Sequence, residues 1–131
     1  MSAETAVQAA LFTALSGAGL TVYDFAPQAA DGASTASSPY VEVGMIVLSE
    51  WDTATELGHS FVARIHTRSR SASAKEAKEI QGIIYATLHR HEVTMTGQRN
   101  IMLIRETTDC TRVADGSFHG VCEYRGLIQA T

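Results

Sequence analysis

The sequence contains no apolar run close to the roughly 20 residues that a helix needs to cross a bilayer, so no membrane-spanning helix is expected. Its first residues, Met1-Ser2-Ala3-Glu4-Thr5, have neither a basic stretch nor a long apolar core. They therefore do not read as a signal peptide, and synthesis in the cytoplasm is expected. Positive charge is also scarce. Ten Lys and Arg face fourteen Asp and Glu, for a net charge of -4. A protein whose main task is to grip phosphates needs a basic face, so that class is disfavoured, although a local basic patch remains compatible with the total. Only two cysteines occur, Cys110 and Cys122. That is too few for a disulfide framework, and buried or reduced thiols are the expected state, with a single bridge between them left open.

Catalytic patterns are missing as well. There is no GxSxG, SxxK, GxGxxG or GxxxxGK, so no nucleophile elbow or phosphate-cradling turn can be named. Ser16-Gly17-Ala18-Gly19 falls at a helix end, where the dipole repels an anion. Five histidines are present (His59, His66, His89, His91 and His119), yet none forms HExxH and no CxxC accompanies them. His89 and His91 read as a helix terminus. Glu50, Asp52 and Glu56 cluster in one connection without calcium-loop spacing. No catalytic residue, metal ligand or cofactor site is expected.

Hydrophobic residues make up 45% of the 131, enough for the core of one domain spanning 1–131. Ala3, Val7, Ala10, Leu11, Ala14 and Leu15 recur at helical spacing behind a Ser2 cap and ahead of Gly17 and Gly19. Leu20 to Phe25 reads as a short strand. The Ala/Ser-rich stretch at about 26–38 holds no large apolar residue and reads as a mobile loop: a lid, an arm that orders on a neighbour, or a solvated connection. Pro39 opens a nearly continuous apolar strand, Tyr40 to Leu48. Residues 49–58 form a polar connection, and His59 to Arg68 alternates as a half-buried strand. Ser73-Ala74-Lys75-Glu76 matches a capping box before the stripe Ala77, Ile80, Ile84 and Leu88. Val93 to Thr96 reads as a short strand, Ile101 to Glu106 as a central one, and Ser117 to Gln129 as the last, with Asp115-Gly116 a turn before it. The order is α-β-loop-β-β-α-β-β-β, an α+β fold with an antiparallel-dominated sheet and two helices packed on one face.

Seven residues stand out as interface candidates. Trp51, the single tryptophan, and its neighbour Asp52 lie in the polar connection. Trp51 is either an exposed anchor or a lid folded back on the core. Arg64, His66 and Arg68 form a positive stripe with Arg70 at its exit; with no interleaved aromatics, a subunit contact or a solvated face fits better than nucleic acid. Val121 and Leu127 place apolar area on the second face of the last strand.

Several short patterns recur in a particular order: Val22-Tyr23-Asp24, Pro39-Tyr40-Val41, Trp51-Asp52-Thr53, Ile65-His66-Thr67-Arg68-Ser69-Arg70, the segment Ala74 to Ile80, Ile84-Tyr85-Ala86-Thr87-Leu88, and Tyr124-Arg125. In that order the chain resembles, over nearly its whole length, the tail completion (tail terminator, head–tail joining) proteins of phages, prophages and gene transfer agents. The resemblance implies a structural virion protein, made in the bacterial host cytoplasm, with no catalytic residues. It implies a homo-hexameric ring at the head-proximal end of a tail. The ring's partners would be the tail tube protein, a head or neck connector or stopper protein, and DNA passing through the lumen without sequence-specific binding. Two other readings compete. A small oligomeric ligand-binding module requires a pocket with convergent polar groups. An enzyme requires a perturbed titratable cluster in a cleft.

Overall fold

A computed structural model describes residues 2–24, 39–52 and 57–131. The expected mobile loop at 26–38, and the middle of the connection after Trp51, lie outside the described residues.

The first helix, α1, runs Ala3–Gly17. Ser2 caps it, its side-chain oxygen accepting from the Thr5 N–H at 3.2 Å, and Glu4 sits in the positive first turn. Gly19 leaves the helix at φ 88, a conformation glycine adopts without strain. Strands β1 (Val22–Tyr23) and β2 (Tyr40–Glu50) pair parallel, and β2 then pairs antiparallel with β3 (Gly58–Ser69). The second helix, α2, spans Lys75–Leu88. Two long strands, β4 (Gln98–Arg112) and β5 (Phe118–Ala130), complete a five-stranded sheet in the order β1-β2-β3-β5-β4. All pairings but the first are antiparallel, so the fold is α+β as expected. The turn between β4 and β5 forms at Asp115-Gly116, where Asp115 accepts from the Ser117 N–H and hydroxyl. Those hydrogen bonds hold its carboxyl below the usual range.

Both helices cover the same face of the sheet. Val7, Leu11 and Leu15 of α1 and Ile80, Ile84 and Leu88 of α2 share one core cluster with Val41, Phe61, Ile65, Leu103, Tyr124 and Ile128 from the strands. Alternation decides the sheet's contribution: Phe61, Ala63 and Ile65 are fully buried, while the residues between them turn to the other side. Cys122 lies in this core as a free thiol and Cys110 is free as well, so no bridge joins them. Burial pushes the Cys122 thiol and the Tyr124 hydroxyl up, so both stay protonated at neutral pH.

Three local expectations need correction. Ile101 to Glu106, expected as a central strand, lies within β4 at the edge of the sheet, and β5 takes the inner place. The segment Val93 to Thr96 is not a strand; it makes a single bridge, Met95 to Gln98. Arg90 at φ 62 and Gly97 at φ 74 bend the chain so that it wraps the open edge of β4. There the Arg90 N–H donates to the Leu103 carbonyl, and the Val93 N–H donates to the Asn100 side chain. Val93 and Met95 are buried, so the alternation in the sequence marked an edge cover and not a ladder. The capping box does not form either. Ala74 occupies the N-cap with no side-chain bond. The Ser73 hydroxyl accepts from the Lys75 N–H, while Glu76 accepts from the buried Ser69 hydroxyl at 2.5 Å. Glu76 thus ties α2 to the end of β3, a tertiary bond that competes with the local one.

Candidate functional site

Among the described residues, the opposite face of the sheet carries no helix. Register defines its occupants. Val47 lies beside Val62, Val62 beside Arg125, and Arg125 beside Ile104; one pleat further out, Ser60 lies beside Leu127 and Leu127 beside Met102. Apart from Ser60 and Arg125, these positions form an apolar band across β2, β3, β5 and β4. Met45 and Val47 are its most open members, 56% and 48% exposed. The band leads toward the end of the sheet that carries the hairpin between β2 and β3.

Toward the other end the same face turns polar. Arg64 lies opposite Glu123, and His66 lies between Glu42 and Val121. Arg68 lies between Tyr40 and His119, and Asp109 lies beside Val121. Arg64 donates to Glu123 at 3.1 Å, and Arg125 pairs with Glu106. Both pairs are partly exposed, so each contributes little stability, about 0–1 kcal/mol. Their consequence is chemical: the positive stripe is partly neutralised within the chain. An arginine already engaged with a carboxylate is a weaker phosphate ligand, and the face is better suited to another protein than to nucleic acid.

The expected interface residues therefore separate into two groups. Arg64, His66, Arg68, Val121 and Leu127 share the helix-free face. Trp51 and Asp52 do not; they form the neck of the hairpin between β2 and β3. The Trp51 N–H donates to the Gly58 carbonyl at 2.8 Å, and Asp52 accepts from the Gly58 N–H at 3.1 Å. A Cβ at Gly58 would lie 2.3 Å from the Trp51 carbonyl oxygen and 3.0 Å from its ring, so the indole lies across a position only glycine fits. Trp51 remains 37% exposed, and Leu57 beside it is 64% exposed. Trp51 belongs to neither core cluster.

Sequence reasoning passed over Val47, Val62, Met102, Ile104 and His119. The signal for each strand's outward residues was present in the alternation. What was missing was the strand order, which brings β5 between β3 and β4 and assembles separate positions into one band. Elsewhere, an open depression of about 240 Å³ is lined by Arg90, His91, Glu92 and Ile101 to Ile104. It lies below the ordinary size of a ligand pocket, about 300–1,000 Å³. Among the described residues no three His, Cys, Asp or Glu side chains gather to hold a metal ion, and no helix is long and apolar enough to cross a membrane.

The sequence matches the family described as tail completion protein gp17 over residues 5–129. The chain belongs to the tail completion protein gp17 family. It is accordingly a phage-tail structural protein and a virion component. A chain in the solved virion of a native gene transfer agent particle has a similar fold, with a TM-score of 0.81, 18% sequence identity and 97% of each chain covered. No curated protein matches the sequence. For a tail completion protein, an exposed sheet face with an apolar band is a natural place for subunit contact, because assembly is what removes such surface from water.

Proposed function

We propose that this tail completion protein forms a closed homo-hexameric ring at the head-proximal end of a phage-like tail, where it terminates the tube and joins it to the head. Its role is structural, without catalysis. The observation that carries the reading is the helix-free sheet face, whose apolar band from Val47 to Ile104 is left uncovered by the described residues. A ring is a heterologous assembly, so one patch must meet a different patch on the next copy. On the helix layer, on the other side of the sheet, Ile83 of α2 is 42% exposed and is a candidate for part of that second patch.

Trp51 and Leu57 lie exposed at one end of the sheet, and in this reading that end meets the tube protein or a connector or stopper protein of the neck. The net charge of -4 suits a lumen through which DNA passes without sequence-specific binding. The test is the mass of the purified chain by light scattering across a concentration series, with and without isolated tail tubes. A hexamer, or a monomer recruited as a ring to tube ends, supports the reading. A monomer or dimer that ignores tubes overturns it.

A further inference from the structure

On the polar half of the helix-free face, two histidines from neighbouring strands meet edge to edge. His66 Nδ1 and His119 Nε2 are 2.8 Å apart. The ring planes are inclined by only 16°, with centroids 5.1 Å apart. A nitrogen–nitrogen contact this short is closer than stacked rings approach, so the rings lie nearly in one plane and share an N–H···N hydrogen bond.

The protonation chemistry of that bond follows from the imidazole itself. Each neutral ring has one donor and one acceptor nitrogen, so the two rings must take opposite roles. A first added proton leaves the bond intact, with an imidazolium donating to an imidazole. A second proton places two N–H groups against each other, and the bond cannot form. The His66 ring also has little room to turn away. A Cβ at Gly44 would lie 2.7 Å from two of its ring atoms, so the imidazole fills the space over a glycine at the register break of β2.

The groups facing the pair come from four strands: Tyr40 and Glu42 on β2, Arg64 and Arg68 on β3, Glu123 on β5 and Asp109 on β4. Glu123 is engaged by Arg64. The helices lie on the other face. Burial lowers the pKa of both histidines, and Arg68 lowers both further; Glu42 and, at His119, Asp109 offset this in part.

We propose that His66 and His119 form a proton-operated latch that regulates self-association through the helix-free face. Paired, the rings tie β3 to β5 and present a face of low charge to the next copy. Doubly protonated, they part, and the face carries two more charges beside Arg64 and Arg68. The regulatory half rests on the ring reading above; the latch itself is a property of one chain.

The latch is tested by long-range nitrogen–proton correlation spectra of the full chain labelled at histidine nitrogens, from about pH 8 to about pH 4.5. The same tautomer in both rings at neutral pH (both Nδ1–H or both Nε2–H, as an Nδ1-to-Nε2 bond requires), a coupled two-step titration, and a displaced His66 midpoint in His119→Gln support it. Independent titrations in the ordinary histidine range, or a His66 midpoint unmoved by His119→Gln, overturn it. Sedimentation over the same range tests the regulation. Association should weaken by up to about tenfold per pH unit for each linked proton. The double variant His66→Gln/His119→Gln should associate independently of pH while still unfolding cooperatively at neutral pH. Coupled titration with pH-insensitive association overturns the regulatory role. A monomer mass at every pH overturns the ring reading and that role with it, and leaves the spectra to decide the latch.

Discussion

The two faces of the sheet are built from the same strands and differ in what covers them. Phe61, Ala63 and Ile65 point to the helices and are fully buried. Val62, Arg64 and His66, each one residue on, point the other way and remain partly open. On the covered face, α1 and α2 bury the inward side chains, and dispersion and burial reward every methyl group. On the bare face, charged pairs and apolar side chains alternate in a way that neither a dry core nor an ordinary solvated face requires. The contrast separates residues that hold one chain together from residues that, in the proposed ring, hold several chains together.

The comparison is sharpened first by adjacent substitutions. Phe61→Ala should cost about 3–5 kcal/mol of unfolding free energy in denaturant titration, because it removes a large buried side chain and leaves a cavity. Val62→Ser should cost under about 1 kcal/mol. Equal costs would mean that the bare face is packed within the chain. Ser69→Ala comes next. It removes the buried hydroxyl that donates to Glu76, and should cost about 1.5–3 kcal/mol, the range for a hydrogen bond to a charged group. A loss that small alterations at Ser73 match would instead favour the local cap.

A smaller effect is expected from pH. His66 and His119 titrate below the ordinary histidine value in the folded chain, chiefly through burial. The unfolded chain therefore binds more protons as pH falls. Their contribution is fully present above the unfolded histidine pKa of about 6.5 and is lost as pH drops through it toward the lowered folded values. Chemical denaturation across that range should show stability falling with acid, and His66→Gln with His119→Gln should flatten the slope. The smallest changes in stability belong to the open positions. Val47→Asp and Trp51→Ala should each shift unfolding by under about 1 kcal/mol while weakening assembly strongly in light scattering. A Trp51→Ala chain that loses much thermal stability yet assembles normally would make the indole a fold residue.

Much of the fold was legible because periodicity reports burial directly. The stripe in α1, the alternation of β3 and the turn at Asp115-Gly116 each follow from local chemistry, and each stands in the structure. Failures arose where a tertiary partner outbid a local one. Glu76 was taken by Ser69 instead of closing a capping box, and the apolar Val93 and Met95 were used to cover the edge of β4. The candidate face was half legible. Arg64, His66, Val121 and Leu127 could be singled out strand by strand, but nothing local says that β5 lies between β3 and β4.

By itself, then, the sequence determined the two helices and most of the strands, the α+β class, the inward residues and the order of motifs that marks the tail completion family. Tertiary structure alone decided which outward residues become neighbours. It set Val62 beside Arg125, paired Arg64 with Glu123, and brought His66 within a hydrogen bond of His119 across 53 residues of chain. The physical reason is that side-chain direction is set by the local backbone period, whereas adjacency on a sheet is set by strand order and register, which depend on the packing of the whole chain.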